Sequence, residues 1–218
     1  MALGEHASVA SFARFVLDLL AVAAPPAMLS DAIRAMEDEV QHARLCFAQA
    51  RRFNGHPAGP GRLDLTAMSN VSGDETAVLL AAITEGCIGE TISARVAAVA
   101  AESAADEAVR AALSRIADDE ERHAELAWRF VRWMLETRPQ LAPAARTRFL
   151  EHFVEVNSTT ATADETPMPV GFGVLSRGER HNVQRATLLA MIAPRVQRLL
   201  DGSSEGVPCS SGTFSSVA

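Results

Sequence analysis

A chain of 218 residues with 48 % hydrophobic content is long enough to bury a sizeable core and too apolar to be mainly disordered. Its net charge of −7 and pI near 5.4 exclude a general nucleic-acid grip, and no uninterrupted apolar run reaches the roughly 20 residues of a membrane span. Cys46, Cys87 and Cys209 form no CxxC pair, and no basic segment precedes an apolar run at the N-terminus, so a cytoplasmic protein without disulfides is expected.

Helical periodicity dominates and strand alternation is absent, which predicts an all-α chain. A first helix runs over about residues 3–23 and stops at Pro25-Pro26. A second starts near Ser30, read as its N-cap, and ends before Asn54-Gly55. Residues 55–73 are rich in Gly and Pro, and at about 3.3 Å per residue they can cross the length of a bundle. A third helix is expected over about 74–102, a fourth over 106–136 and, after Pro139 and Pro143, a fifth over 144–156. A polar loop at 157–175 leads to Ser176-Arg177-Gly178-Glu179, a capping-box signature that opens a sixth helix ending near Leu200. The Ser-, Gly- and Thr-rich end of the chain is expected to be disordered. Residues 1–200 thus read as one domain, with a four-helix core over 3–136, accessory helices over 144–200 and a tail at 201–218.

One internal repeat organises the core. Asp38-Glu39-Val40-Gln41-His42-Ala43 and Asp119-Glu120-Glu121-Arg122-His123-Ala124 share the pattern Asp-Glu-x-x-His-Ala at an offset of 81 residues. Upstream, Glu5 and Glu85 are offset by 80. The chain therefore reads as two helical hairpins of one plan, each with a lone Glu on its first helix and Glu-x-x-His on its second. Positions i and i+3 share a helix face, so Glu39 pairs with His42 and Glu120 with His123. Each carboxylate sits in an apolar stripe: Glu5 with Val9 and Phe12, Glu39 with Met36, Glu85 with Val78 and Ile88, Glu120 with Leu113 and Ile116.

Buried carboxylates near one another repel, and these stripes carry no basic partner. Two divalent cations would balance four Glu, and carboxylate with imidazole suits iron or manganese. Within each hairpin, the midpoints Glu5–Glu39 and Glu85–Glu120 fall near the expected turns, which sets the groups at similar depth. Glu90 competes with Glu85. It lies about 140° further round an α-helix, on a face with Ile83, Ala94 and Ala97. Glu85 is preferred because its stripe is more apolar and its offset matches Glu5. Asp38 and Asp119 are placed to accept hydrogen bonds from ligand imidazoles or to face solvent. Cys46, one turn beyond His42, and Trp128 and Trp133 read as packing residues. His6, His56, His152 and His181 show no ligand spacing.

One Glu from each of two helices plus Glu-x-x-His from two others resembles the ferritin-like di-iron carboxylate proteins, over about residues 3–136. The resemblance implies an antiparallel four-helix bundle of two hairpins joined by a long crossover, with two C-terminal helices added. It implies two iron ions, with manganese or a mixed pair as the alternative. They would be held by Glu5, Glu39 and His42 on one side and Glu85, Glu120 and His123 on the other, with Glu39 and Glu120 bridging. No tyrosine is present, which argues against a radical-storing subunit, and all 20 basic residues are arginine, which excludes Schiff-base chemistry. No CxxC pair supplies a rubredoxin-like electron module. The expected activity is an oxidase or oxygenase that uses O2 or peroxide on a small organic substrate, with an external electron donor. Iron or peroxide handling without an organic substrate is the alternative, and a metal-free helical adaptor a lesser one. A homodimer is the expected assembly, with no membrane association.

Overall fold

Two prolines set the first turn. Helix α1 (Ala2–Ala21) ends before Pro25-Pro26, and α2 (Pro26–Asn54) starts with Pro26 in its first turn. Proline's fixed φ suits that position, and the N–H it lacks would have no partner there. The helix therefore begins one turn earlier than a Ser30 N-cap predicts, and Ser30 Oγ instead donates to Pro26 O at 3.2 Å. Gly55 closes α2 in the left-handed conformation, φ 67°, its N–H bonding Arg51 O.

The structure, a computed structural model, describes residues 1–66, 73–158 and 171–202. The tail beyond residue 202 with Cys209, and parts of the expected connections at 55–73 and 157–175, lie outside the described residues. Asp74 caps α3 (Glu75–Ser103) by accepting from the Thr76 N–H. Asp106 caps α4 (Glu107–Thr137), accepting from Val109 N at 3.1 Å. A short 3-10 turn at Pro139–Leu141 precedes α5 (Ala142–Ser158). The Ser176/Glu179 capping box opens α6, residues 177–202. Among the described residues the protein is all-α, with six helices.

α1 packs on α2, α3 on α4, and α2 on α4. Leu19, Leu79, Ile83, Phe130 and Met134 meet in the core between them, each almost wholly removed from water. The indole of Trp128 stacks on Phe149 of α5 with centroids 5.7 Å apart, and donates to Thr91 Oγ1 at 3.3 Å. Arg138 ties three helix ends together. It donates to Val22 O at 2.9 Å and to Glu75 at 2.5 Å, and lies over the Trp133 ring. At the other end, Arg52 pairs with Asp106 at 2.6 Å. α3 is long and apolar enough to cross a bilayer by length and composition alone, but it packs along α4 and α6 and carries Glu85 and Glu90 mid-span.

Residues Ala82–Glu90 of α3 form a π-helical segment that the sequence periodicity does not announce. Gly86 lies within it and lets the backbone approach α4: a Cβ there would collide with the Cβ of Ala127. Gly86→Val should push the two helices apart and cost about 1–3 kcal/mol. Thermal unfolding checks this, and a variant as stable as the parent would refute the close approach.

Candidate metal centre

Glu39 and His42 lie one helical turn apart on α2, and Glu120 and His123 one turn apart on α4. Both pairs face inward: Glu39, His42, Glu120 and His123 are 1 %, 0 %, 4 % and 3 % exposed. Two overlapping groups result, each with one potential ligand atom per residue and all such atoms within 4.8 Å of one another. The first is Glu5, Glu39, His42 and Glu120; the second is Glu39, Glu90, Glu120 and His123. Glu39 and Glu120 belong to both.

Five of the polar atoms in this pocket have no hydrogen-bond partner. Both oxygens of Glu39, Glu120 Oε2, His42 Nδ1 and His123 Nδ1 are fully buried without one. His42 Nδ1 lies 3.7 Å from Glu5, 3.7 Å from Glu39 and 3.5 Å from Glu120. His123 Nδ1 lies 3.2 Å from Glu39 and 3.7 Å from Glu120. Buried polar atoms are ordinarily paired, and an unpaired one costs about 1–3 kcal/mol, more when charged. Five such atoms converging on one place fit a centre designed for cations, and the oxygen and imidazole donors can hold metal ions.

The outer nitrogens of the imidazoles are held crosswise between the repeats. His42 Nε2 meets Asp119 Oδ2 at 3.0 Å, and His123 Nε2 meets Asp38 Oδ2 at 3.4 Å. Each repeat's Asp thus serves the other repeat's His. An Nε2–H donated outward fixes the tautomer and turns the Nδ1 lone pair toward the carboxylates. Arg122 bonds both Asp38 and Asp119, and Arg115 also pairs with Asp119 at 3.6 Å. Phe12 packs edge-on against the His123 ring at 4.9 Å. Asp119→Ala should weaken metal binding by about 10–100-fold while leaving the helices intact. Metal titration with circular dichroism checks this; unchanged affinity would deny Asp119 an orienting role.

Where protons are the only cations available, the centre binds them tightly. Burial pulls the His42 imidazole down, but Glu120, Glu39 and Asp119 outweigh it and raise its pKa to about 11. His123 is raised to about 9 against its burial by Glu120 and Glu39. Burial, helped by Glu120 and Glu39, lifts Glu5 to about 7. Burial and the Glu120 carboxyl push Glu90 well above the usual range. Glu120 moves the other way: burial opposes ionisation, but Glu90, His123 and His42 hold it below the usual range. A pocket that collects protons against desolvation is one in which a divalent ion is favoured.

The structure does not bring Glu85 into either group. It is exposed, beside Ser11 and Arg14, and desolvation in the adjacent cavity raises its pKa. Glu90 takes the place on α3. The π segment Ala82–Glu90 shifts the register of the α-helical wheel, so Glu90 and not Glu85 lies on the face of α3 that reaches the centre. Beyond the π segment the buried face continues through Ala94 and Ala97, the companions of Glu90. One signal in the sequence favours Glu90. The turn between α3 and α4 is centred on Ala105, and 105 is also the midpoint of Glu90 and Glu120, whereas Glu85 and Glu120 centre near 102.

Cys46 packs with Ala97 and Ile116, and burial pushes its thiol up to about 12, so it serves as a neutral core residue. Several cavities touch residues of the centre. One, of about 50 Å³, touches Glu90 and His123 and is lined by Phe12, Phe15, Gly86 and Ala127. Another, of about 220 Å³, touches Glu5 and Glu120, and a third, of about 450 Å³, touches His123 beside Asp38 and Arg122. No family model matches this chain, and no curated protein and no solved structure matches it either.

Proposed function

We propose that the chain is a di-iron oxidoreductase of the ferritin-like carboxylate type, which uses O2 or peroxide to oxidise a small organic substrate. The observation that carries this reading is the set of five unpartnered buried atoms, contributed by Glu39, Glu120, His42 and His123, at the crossing of two Glu-x-x-His helices. Glu5, Glu39, His42 and Glu120 would hold one ion, and Glu39, Glu90, Glu120 and His123 the other. Four carboxylates and two neutral imidazoles balance two divalent cations. Carboxylate and imidazole without thiolate favour iron, with manganese or a mixed pair next.

An iron pair held by these residues would supply the redox chemistry that reduces the oxidant. The chain's own groups have other tasks. Glu39 and Glu120 join the two positions. Asp38 and Asp119 hold the Nε2 protons of His123 and His42, so that each Nδ1 stays available. Phe12 and Ala127 exclude bulk water on the His123 side. An external electron donor, a protein or a small reductant, would complete the reaction.

Protein produced in iron-rich medium should contain about two irons per chain. After chemical reduction and exposure to O2 it should consume O2 and change its absorption spectrum. Two irons with no O2 or peroxide consumption would leave only metal holding. Rapid Fe(II) oxidation that needs no organic co-substrate would favour the iron-handling alternative.

A further inference from the structure

The cavity beside Glu5 and Glu120 differs from the other openings in its chemistry. Its wall is apolar, built from Ile92, Val96, Ala97, Ala100 and Ile116. Glu5 and Glu120 lie on its buried side, and Ser93, Arg180 and Gln184 on the exposed side. α6 contributes Arg180 and Gln184 because it packs along α3. At about 220 Å³ the space is smaller than the roughly 300 Å³ at which pockets for drug-sized ligands begin, so it suits a compact molecule.

Arg180 gives the rim its specificity. Its Nε donates to Leu175 O at 3.1 Å, which anchors the guanidinium, and it has no acidic partner among the described residues. Arg52, Arg122, Arg129, Arg138 and Arg195 all pair with carboxylates. The charged groove between α2 and α4 is larger, about 450 Å³, but its Arg34, Arg122 and Arg129 are already matched by Asp31 and Asp38. An anchored, unmatched guanidinium at the mouth of an apolar cavity is a carboxylate receptor.

We propose that this cavity is the organic-substrate site and takes a compact amphipathic monocarboxylate. Its carboxylate sits on Arg180 and Gln184, and its apolar body lies along Ile92, Val96 and Ile116, beside Glu5 and Glu120. The assignment rests on the di-iron reading for its chemistry but not for its binding.

Benzoate is the probe, with benzamide as its uncharged counterpart, and binding is measured by calorimetry on the full chain as purified and after reconstitution with Zn(II). Benzoate should bind both preparations. Arg180→Gln should weaken it by about 10–100-fold, the scale of hydrogen bonds to a charged group. Val96→Phe should abolish binding by filling the cavity. Arg177→Gln, on the exposed first turn of α6, should change nothing. Benzamide should bind at least about tenfold more weakly and ignore Arg180→Gln. The proposal is overturned if benzoate does not bind, if Arg177→Gln matters as much as Arg180→Gln, or if binding survives Arg180→Gln unchanged, the mark of direct coordination to metal. Zinc takes no part in O2 chemistry. Benzoate binding without O2 consumption by the iron form would therefore reject the di-iron reading alone, and the converse would reject this site alone.

Discussion

Glu120→Ala and Glu39→Ala should each leave the protein unable to load metal at either position, because both carboxylates belong to both ligand groups. The loss should exceed the about 10–100-fold expected for an outer partner such as Asp119. Glu90→Ala and His123→Ala remove ligands from one group only and should leave about one ion per chain. Glu85→Ala should retain about two, since Glu85 lies outside both groups. Elemental analysis of the variants, with circular dichroism to confirm folding, gives this ranking directly. A Glu85 variant that loses metal while a Glu90 variant keeps it would invert the assignment on α3. Stability provides a second readout. In excess chelator, Glu39→Leu should be less stable than the parent, because it takes a carboxylate from beside the protonated His42 and His123 imidazoles. Unchanged stability there would show that Glu39 does not hold the imidazole protons of the metal-free centre.

Metal affinity should rise steeply with pH between about 6 and 9. The sign follows from which groups carry protons. His42 at about 11 and His123 at about 9 are protonated at neutral pH, and Glu5 at about 7 is half protonated, while burial shifts Glu90 in the same upward direction. An incoming pair of ions must displace about two to three protons from His42, His123 and Glu5, so the combined two-ion constant should change by roughly two to three orders of magnitude per pH unit. Below pH 7 Glu5 gains its proton fully and binding weakens further; toward pH 9 His123 begins to lose its own and binding strengthens. A metal saturating at 1,000 times its Kd adds about 4 kcal/mol of stability, and for a chain of this size each kcal/mol raises Tm by about 2–4 °C. Chelation at pH 8 should then lower Tm by about 8–16 °C, and by much less at pH 5.5. A metal affinity that does not vary between pH 6 and 8, read with a proton-release indicator, would mean that these groups are not the ligands.

Much of the fold was legible because helix signals are local. Pro25-Pro26, Asp74, Asp106 and the Ser176/Glu179 box mark helix boundaries within a few residues of where they occur. The start of α2 was misplaced because Ser30 resembles a cap, although Pro26 was the stronger start signal. The inward direction of Glu39, His42, Glu120 and His123 followed from apolar stripes that hold as long as each turn is α-helical. That condition fails in α3. A hydrogen bond reaching five residues back resets the wheel, and the choice between Glu85 and Glu90 depended on it.

The amino-acid order alone determined that two Glu-x-x-His turns, each preceded by a lone Glu on an earlier helix, would lie in apolar surroundings, because the spacing of side chains along one helix is a property of that helix. Tertiary structure decided the rest. Asp119 serves His42 and Asp38 serves His123 only because α2 and α4 pack together, residues 77 and 85 positions apart in the chain. Glu90 enters the centre because Gly86 lets the π segment of α3 rest against Ala127. Arg180 reaches the cavity rim because α6 folds back along α3. Each is a contact between segments distant in sequence, and no local periodicity can encode it.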